Sequence, residues 1–199
     1  MSPADTDPGI EAAARTIREG GLVVYPTETV YGLGADALNP AAVESVFEAK
    51  GRDRDKPLSL GVPSVDAALE FTTPNDRELR FMRAFLPGPV TVVVPKRDVV
   101  PDVLTGGREK VGVRVPDHEV ALALFEAAET PVTATSANRS GESSSRTVDE
   151  VSPAIRERAT VVDGGETPGT ESTVVDVREN RVVREGAFAG AIVEWLEAE

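Results

Sequence analysis

Short apolar runs, each separated from the next by a stretch with helical spacing, recur from one end of the chain to the other. Leu22-Val23-Val24-Tyr25 stops at Pro26, and the β-branched run Val90-Thr91-Val92-Val93-Val94 follows the Pro87-Gly88-Pro89 turn, as strands on a pleated surface do. Further strands are expected at residues 57–62, 110–115, 131–135, 160–163 and 174–177, with a hairpin returning through 181–184. Helices are expected over 10–19, 40–50, 118–129 and 147–157, near 64–70 and 75–85, and over 192–196. Strands alternating with helices predict an α/β domain on a mixed sheet. Residues 1–9, with Pro3, Pro8 and Gly9, are expected to be a loose end, and 10–199 a single domain without internal repeats or a linker.

Composition narrows the chemistry. There is no cysteine, which removes disulfides, thiolate metal sites and a cysteine nucleophile, and the single histidine, His118, makes a zinc site a poor expectation. No apolar run spans a membrane and the acidic N-terminus is unlike a secretory leader, so a cytoplasmic protein is expected. The formal charge is −13, spread along the chain, with arginine far outnumbering lysine. Such a surface suits concentrated salt, where large net charge is screened. It argues against tight general binding of nucleic acid, and two tyrosines with one tryptophan make a poor stacking surface.

Against that background, the run from Phe47 to Leu58 stands out, because Lys50, Arg52, Arg54 and Lys56 crowd into it. One reading is a cleft for a small anion; the other is a helix C-terminus complemented by cations. Asn39-Pro40 marks that helix's start and Gly51 its end. Strand alternation over 110–115 places Lys110, Gly112 and Arg114 on one face, either a ligand surface or a solvated one. The loop 136–145 is rich in hydroxyls that can donate to phosphate oxygens. Thr27 and Thr29 read as strand-edge threonines, and His118 as a surface or capping residue. Gly32 to Ala37 fits a loose G-x-G-x-x-A pattern. It is set aside because Pro26 and five further residues separate it from the preceding strand and no helix opens there.

Six stretches in order resemble the TsaC/YrdC family of L-threonylcarbamoyladenylate synthases, in its single-domain form. They are Tyr25-Pro26-Thr27-Glu28-Thr29-Val30-Tyr31-Gly32-Leu33-Gly34, Phe47-x-x-Lys50-x-Arg52 with Pro57-Leu58, Pro87-Gly88-Pro89-Val90-Thr91, Val113-Arg114-Val115-Pro116, Ser136-Ala137-Asn138-x-Ser140-Gly141 and Glu171-Ser172-Thr173-Val174-Val175. The resemblance covers about residues 10 to 190. It implies a YrdC-like fold, a twisted open sheet with flanking helices and a concave cavity. It also implies a nucleotidyltransferase that joins L-threonine, bicarbonate and ATP into threonylcarbamoyl-AMP and pyrophosphate. The product feeds tRNA threonylcarbamoyl-transferase machinery.

By the same resemblance, Lys50, Arg52, Ser136 and Asn138 are the expected catalytic residues. Thr27, Arg114 and Ala134 fall to the threonine, and Lys50, Arg54, Lys110, Ser136, Ser144 and Arg184 to the nucleotide. Mg²⁺ is expected to arrive with ATP rather than in a protein cage. The alternative is a YrdC-fold RNA-binding protein without synthase activity. Three positions depart from the family pattern: Asp53 where proline is usual, Gly61 where a larger polar residue is common beside threonine, and Glu185 in place of proline after Arg184.

Overall fold

Valines at alternate positions build the back of one large sheet. The computed structural model describes residues 7–198. In chain order the elements begin with α1 (Pro8–Arg18), β1 (Leu22–Tyr25), β2 (Gly32–Gly34), α2 (Pro40–Lys50), β3 (Ser59–Gly61), α3 (Val65–Ala68) and α4 (Asp76–Phe85). They continue with β4 (Val90–Pro95), α5 (Asp102–Thr105), β5 (Lys110–Arg114), α6 (Glu119–Ala128) and β6 (Val132–Ser136). The chain closes with α7 (Pro153–Arg156), β7 (Ala159–Val161), β8 (Thr173–Asp176), β9 (Arg181–Arg184) and α8 (Ala189–Ala198).

The nine strands form one twisted, open sheet in the order β7-β1-β2-β6-β3-β5-β4-β8-β9. It is mixed, as expected: β1 runs parallel to β7, β3 to β5 and β4 to β8, and the remaining pairs are antiparallel.

The two faces of the sheet differ. On the back, Leu22, Val24, Leu33, Leu60 and Val111 pack against α2, α5 and α7. Val90, Val92, Val94, Val113 and Val175 continue that face against α3, α4 and α8. Each such buried side chain contributes about 1.5–3 kcal/mol relative to exposure. The front is covered only at one end, where Val23, Tyr25 and Val132 meet α1 and α6. The rest of the front is open.

Local signals account for several element boundaries. The Asn39 side chain accepts from Ala41 N and Ala42 N to start α2, and Gly51 at φ 57° ends it. Asn75 and Glu78 form a capping box on α4.

Other boundaries correct the expectation. Pro8 and Gly9 are not loose but form the first turn of α1, with Asp7 accepting from Gly9 N, while residues 1–6 lie outside the described residues. The helix expected over 147–157 reduces to a 3₁₀ turn at Val148–Glu150 and the single turn of α7. Pro153 lacks the N–H that a continuous helix needs there. The stretch 95–109, for which the sequence predicts neither helix nor strand, contains α5. Gly32-Leu33-Gly34, where the sequence gives no strand expectation, is a strand paired with β1 and β6.

Candidate functional site

The open front of the sheet is the floor of a cavity of about 1020 Å³. Alternate residues of neighbouring strands line it: Ser59 from β3, Thr91 and Val93 from β4, Gly112 from β5, Ala134 and Ser136 from β6. The floor is tightest at Gly112, where a Cβ would lie 2.5 Å from Ser59 Oγ and 2.9 Å from Thr91 Cγ2. Loops after β1, α2 and β5, and the 171–172 segment before β8, supply the walls.

Cations converge on this hollow in a chain that is strongly anionic overall. Arg52, Lys110, Arg114 and Arg184 all line it. The Arg52 guanidinium donates to the carbonyls of Lys56 at 3.0 Å and Pro57 at 3.1 Å, which folds the loop after α2 around it. Burial lowers its pKa, and the nearby positive charge of Arg184 acts in the same direction. Two guanidinium groups that repel each other across a hollow form a receptor for an anion.

Arg114 is buried, and burial pulls its pKa down while Glu28 opposes the shift. Its Nη2 donates to Glu28 Oε1 at 2.8 Å, and Glu28 Oε1 also accepts from Asp117 N at 2.9 Å. Arg114 Nη1 and Glu28 Oε2 are both buried without a hydrogen-bond partner. An unsatisfied guanidinium N–H in a cavity wall calls for an acceptor.

Thr27 lies beside this group. Its Oγ1 donates to Val30 O at 2.7 Å, accepts from Val30 N at 3.2 Å and lies 2.8 Å from Thr29 Oγ1, so it organises the turn after β1 as well as lining the cavity.

The remaining expected residues fall into two groups. Lys110 and Arg184 line the cavity but are tethered by carboxylates. Lys110 Nζ lies 2.7 Å from Asp176 Oδ2 and 3.4 Å from Glu179 Oε1, and the bond to Asp176 chiefly raises its pKa. Arg184 Nη1 lies 3.0 Å from Glu171 Oε2, and its Nη2 donates to Ser172 O at 2.9 Å.

Lys50, Asn138, Ser144 and Arg54 do not line the cavity. Lys50 lies under its rim: the buried ammonium donates to the carbonyls of Ser136 and Asn138. Burial pushes its pKa down to about 7, with Arg52 adding to the shift and Glu171 opposing it. The Asn138 amide nitrogen donates to Arg139 O and Glu142 O, and its Oδ1 is buried without a partner. The Ser144 hydroxyl bonds Glu171. Arg54 turns outward to pair with Glu44 at 2.7 Å. His118 lies outside the cavity lining and gives no side-chain cap to α6.

The family departures also find their places. Asp53 pairs with Lys56 at 3.0 Å, Glu185 is exposed, and the space beside Gly61 is filled by the Phe125 ring.

Among the residues that sequence reasoning left without a role are Glu171, Tyr25 and Phe125, which line the cavity, and Glu28, which bonds the lining residue Arg114. The two carboxylates sit inside motifs already singled out, Thr27-Glu28-Thr29 and Glu171-Ser172-Thr173. The aromatics are indistinguishable from core residues by spacing alone. Among the described residues, no group of three or more His, Asp or Glu side chains is arranged to hold a metal ion, and no helix is long and apolar enough to cross a membrane.

Comparison with known proteins gives a consistent result. The Sua5/YciO/YrdC family model, described as telomere recombination, matches residues 15–186. The threonylcarbamoyl-AMP synthase of Pyrococcus abyssi is 48% identical over 174 residues, 85% of this chain and 51% of that protein. The chain thus spans about half the length of the first curated relatives it matches. The threonylcarbamoyl-AMP synthase of Thiobacillus denitrificans is 37% identical over 189 residues, 92% of this chain and 100% of that protein. The crystal structure of P. abyssi Sua5 complexed with L-threonine superposes with a TM-score of 0.84 at 46% identity, covering 89% of this chain and 54% of that one.

Proposed function

The chain belongs to the Sua5/YciO/YrdC family, and from that premise we propose that it is a threonylcarbamoyl-AMP synthase. The reaction joins L-threonine, bicarbonate and ATP, and releases pyrophosphate. The observation that carries the reading is the meeting of Arg52, Arg114, Arg184 and Ser136 in one cavity of a chain with formal charge −13.

Each part of the cavity has a task in this chemistry. The threonine amine captures bicarbonate-derived carbon dioxide as a carbamate. The carbamate oxygen attacks the α-phosphorus of ATP, the bond to the bridging oxygen breaks, and pyrophosphate leaves. Such a step depends on position and charge neutralisation more than on a strong protein base. Arg114, with its free Nη1, receives the threonine carboxylate bidentately beside Thr27 and Ala134. Arg52 and Arg184, with Ser136, hold the phosphate and carbamate oxygens where negative charge builds.

Lys50 joins them by turning from the carbonyls it now bonds, or acts through them by fixing the loop of Ser136 and Asn138. Lys110 and Ser144 serve the nucleotide once its phosphates compete with Asp176 and Glu171. Mg²⁺ belongs with the triphosphate in this scheme. The product passes to tRNA threonylcarbamoyl-transferase machinery in the cytoplasm.

Pyrophosphate release from ATP tests the proposal. Release that requires both threonine and bicarbonate is expected. Release without threonine dependence, or RNA binding with no release at all, would remove it.

A further inference from the structure

Two aromatic rings close one end of the cavity, and glycines make room for both. Tyr25 from β1 and Phe125 from α6 meet edge to face, with centroids 5.4 Å apart at 74°. A Cβ at Gly32 would lie 2.6 Å from the Tyr25 ring, and a Cβ at Gly61 would lie 2.7 Å from the Phe125 ring. Both rings therefore rest directly on the strands, and both line the cavity.

Gly61 pairs across the sheet with Arg114. Neighbouring strands run about 4.8 Å apart, so the notch that seats Phe125 adjoins the strand position of Arg114, whose Nη1 lacks a partner, and both side chains line the cavity. Phe125 also lines a second hollow of about 160 Å³, where Val62, Pro63, Phe71 and Pro131 stand with Glu70, Glu126 and Glu129. One side chain thus separates two spaces.

We propose that Phe125, seated in the notch at Gly61, sets the upper size of the amino-acid side chain that the cavity accepts. This rests on the synthase reading, in which Arg114 holds the amino-acid carboxylate. An amino acid anchored there extends its side chain within reach of the ring. A small β-branched side chain fits in front of Phe125, whereas a longer one meets it. Removing the ring joins the two hollows and opens an extension in which Val62, Pro63 and Phe71 can receive the extra carbon atoms. The side chain of a larger residue at 61 would occupy the ring's own place, so Gly61 and Phe125 form one device.

The test is a panel of threonine, serine, valine and isoleucine offered to the wild type, Phe125→Leu and Phe125→Ala. Amino-acid-dependent pyrophosphate release and calorimetric binding are both measured. The isoleucine-to-threonine ratio of kcat/KM is expected to rise about tenfold or more in Phe125→Ala, the scale of one or two carbon atoms in an apolar pocket, and less in Phe125→Leu. Unchanged ratios, with turnover falling equally for every amino acid, would overturn the proposal and leave Phe125 a packing residue.

Should Phe125→Ala fail to fold, Phe125→Leu carries the same comparison. If the wild type binds amino acids but releases no pyrophosphate, the synthase reading falls alone. The binding ratios between wild type and Phe125→Leu then decide the role of the ring. A wild type that binds no amino acid overturns both.

Discussion

The Lys50 ammonium lies 2.7 Å from the carbonyl oxygen of Asn138, and its second bond, to the Ser136 carbonyl, makes it the peg that joins α2 to the end of β6. The sequence pattern pairs Lys50 with Arg52 and Ser136 with Asn138; the structure ties the two pairs together through main-chain oxygens.

Lys50→Ala removes the buried ammonium next to the cavity residue Ser136 and leaves two carbonyls without their donor. Turnover in the pyrophosphate assay is expected to fall by about two orders of magnitude or more. Near-normal turnover would show that Lys50 has no part in the chemistry.

The depressed pKa of Lys50 has a definite sign in stability. Its folded value of about 7 lies below the ordinary 10.5, so between those values the unfolded chain holds the proton more tightly. Its penalty on folding is complete below about pH 7 and is relieved as pH rises toward 10.5. Urea denaturation from pH 7 to 10 is expected to show a steeper gain in stability for the wild type than for Lys50→Met. Parallel curves would place the Lys50 titration elsewhere.

Glu171 bonds both Ser144 and Arg184, so a phosphate that uses them must compete with a carboxylate. Glu171→Gln keeps the shape and removes the charge. Because the ion pair is partly exposed, the expected gain is modest, about two- to fivefold tighter binding of a non-hydrolysable ATP analogue. Unchanged or weaker binding in a titration would show that Glu171 helps the nucleotide instead of competing with it.

The dispersed negative charge predicts a protein that gains stability from salt. The midpoint of thermal unfolding is expected to rise by several degrees between about 0.1 and 2 M KCl, as screening relieves self-repulsion. A flat or falling midpoint would mean that the ion pairs outweigh that repulsion.

What the sequence makes legible follows from where local rules act alone. Helix α2 is fully readable because Asn39 and Gly51 punctuate it. The front face of β5 is readable because Lys110, Gly112 and Arg114 alternate with buried valines. Strand β2 is not readable, because glycine is a poor strand former; Gly32 and Gly34 are there to let the Tyr25 ring lie on the sheet, a contact that only the fold creates. Glu28 is hidden for a similar reason. Its partner Arg114 is 86 residues away, and only the loop after β1 brings the two together. The helix expected at 147–157 fails because apolar spacing does not register the amide that Pro153 lacks.

The lopsided sheet has a broader consequence. Most of the cohesion comes from the helices behind it, so away from the end that α1 and α6 cover the side chains in front carry less of the burden of keeping the molecule together. Away from crowded points such as Gly61 and Gly112, that open front can be rewritten position by position. A changed appetite for substrate then need not endanger the architecture that presents it.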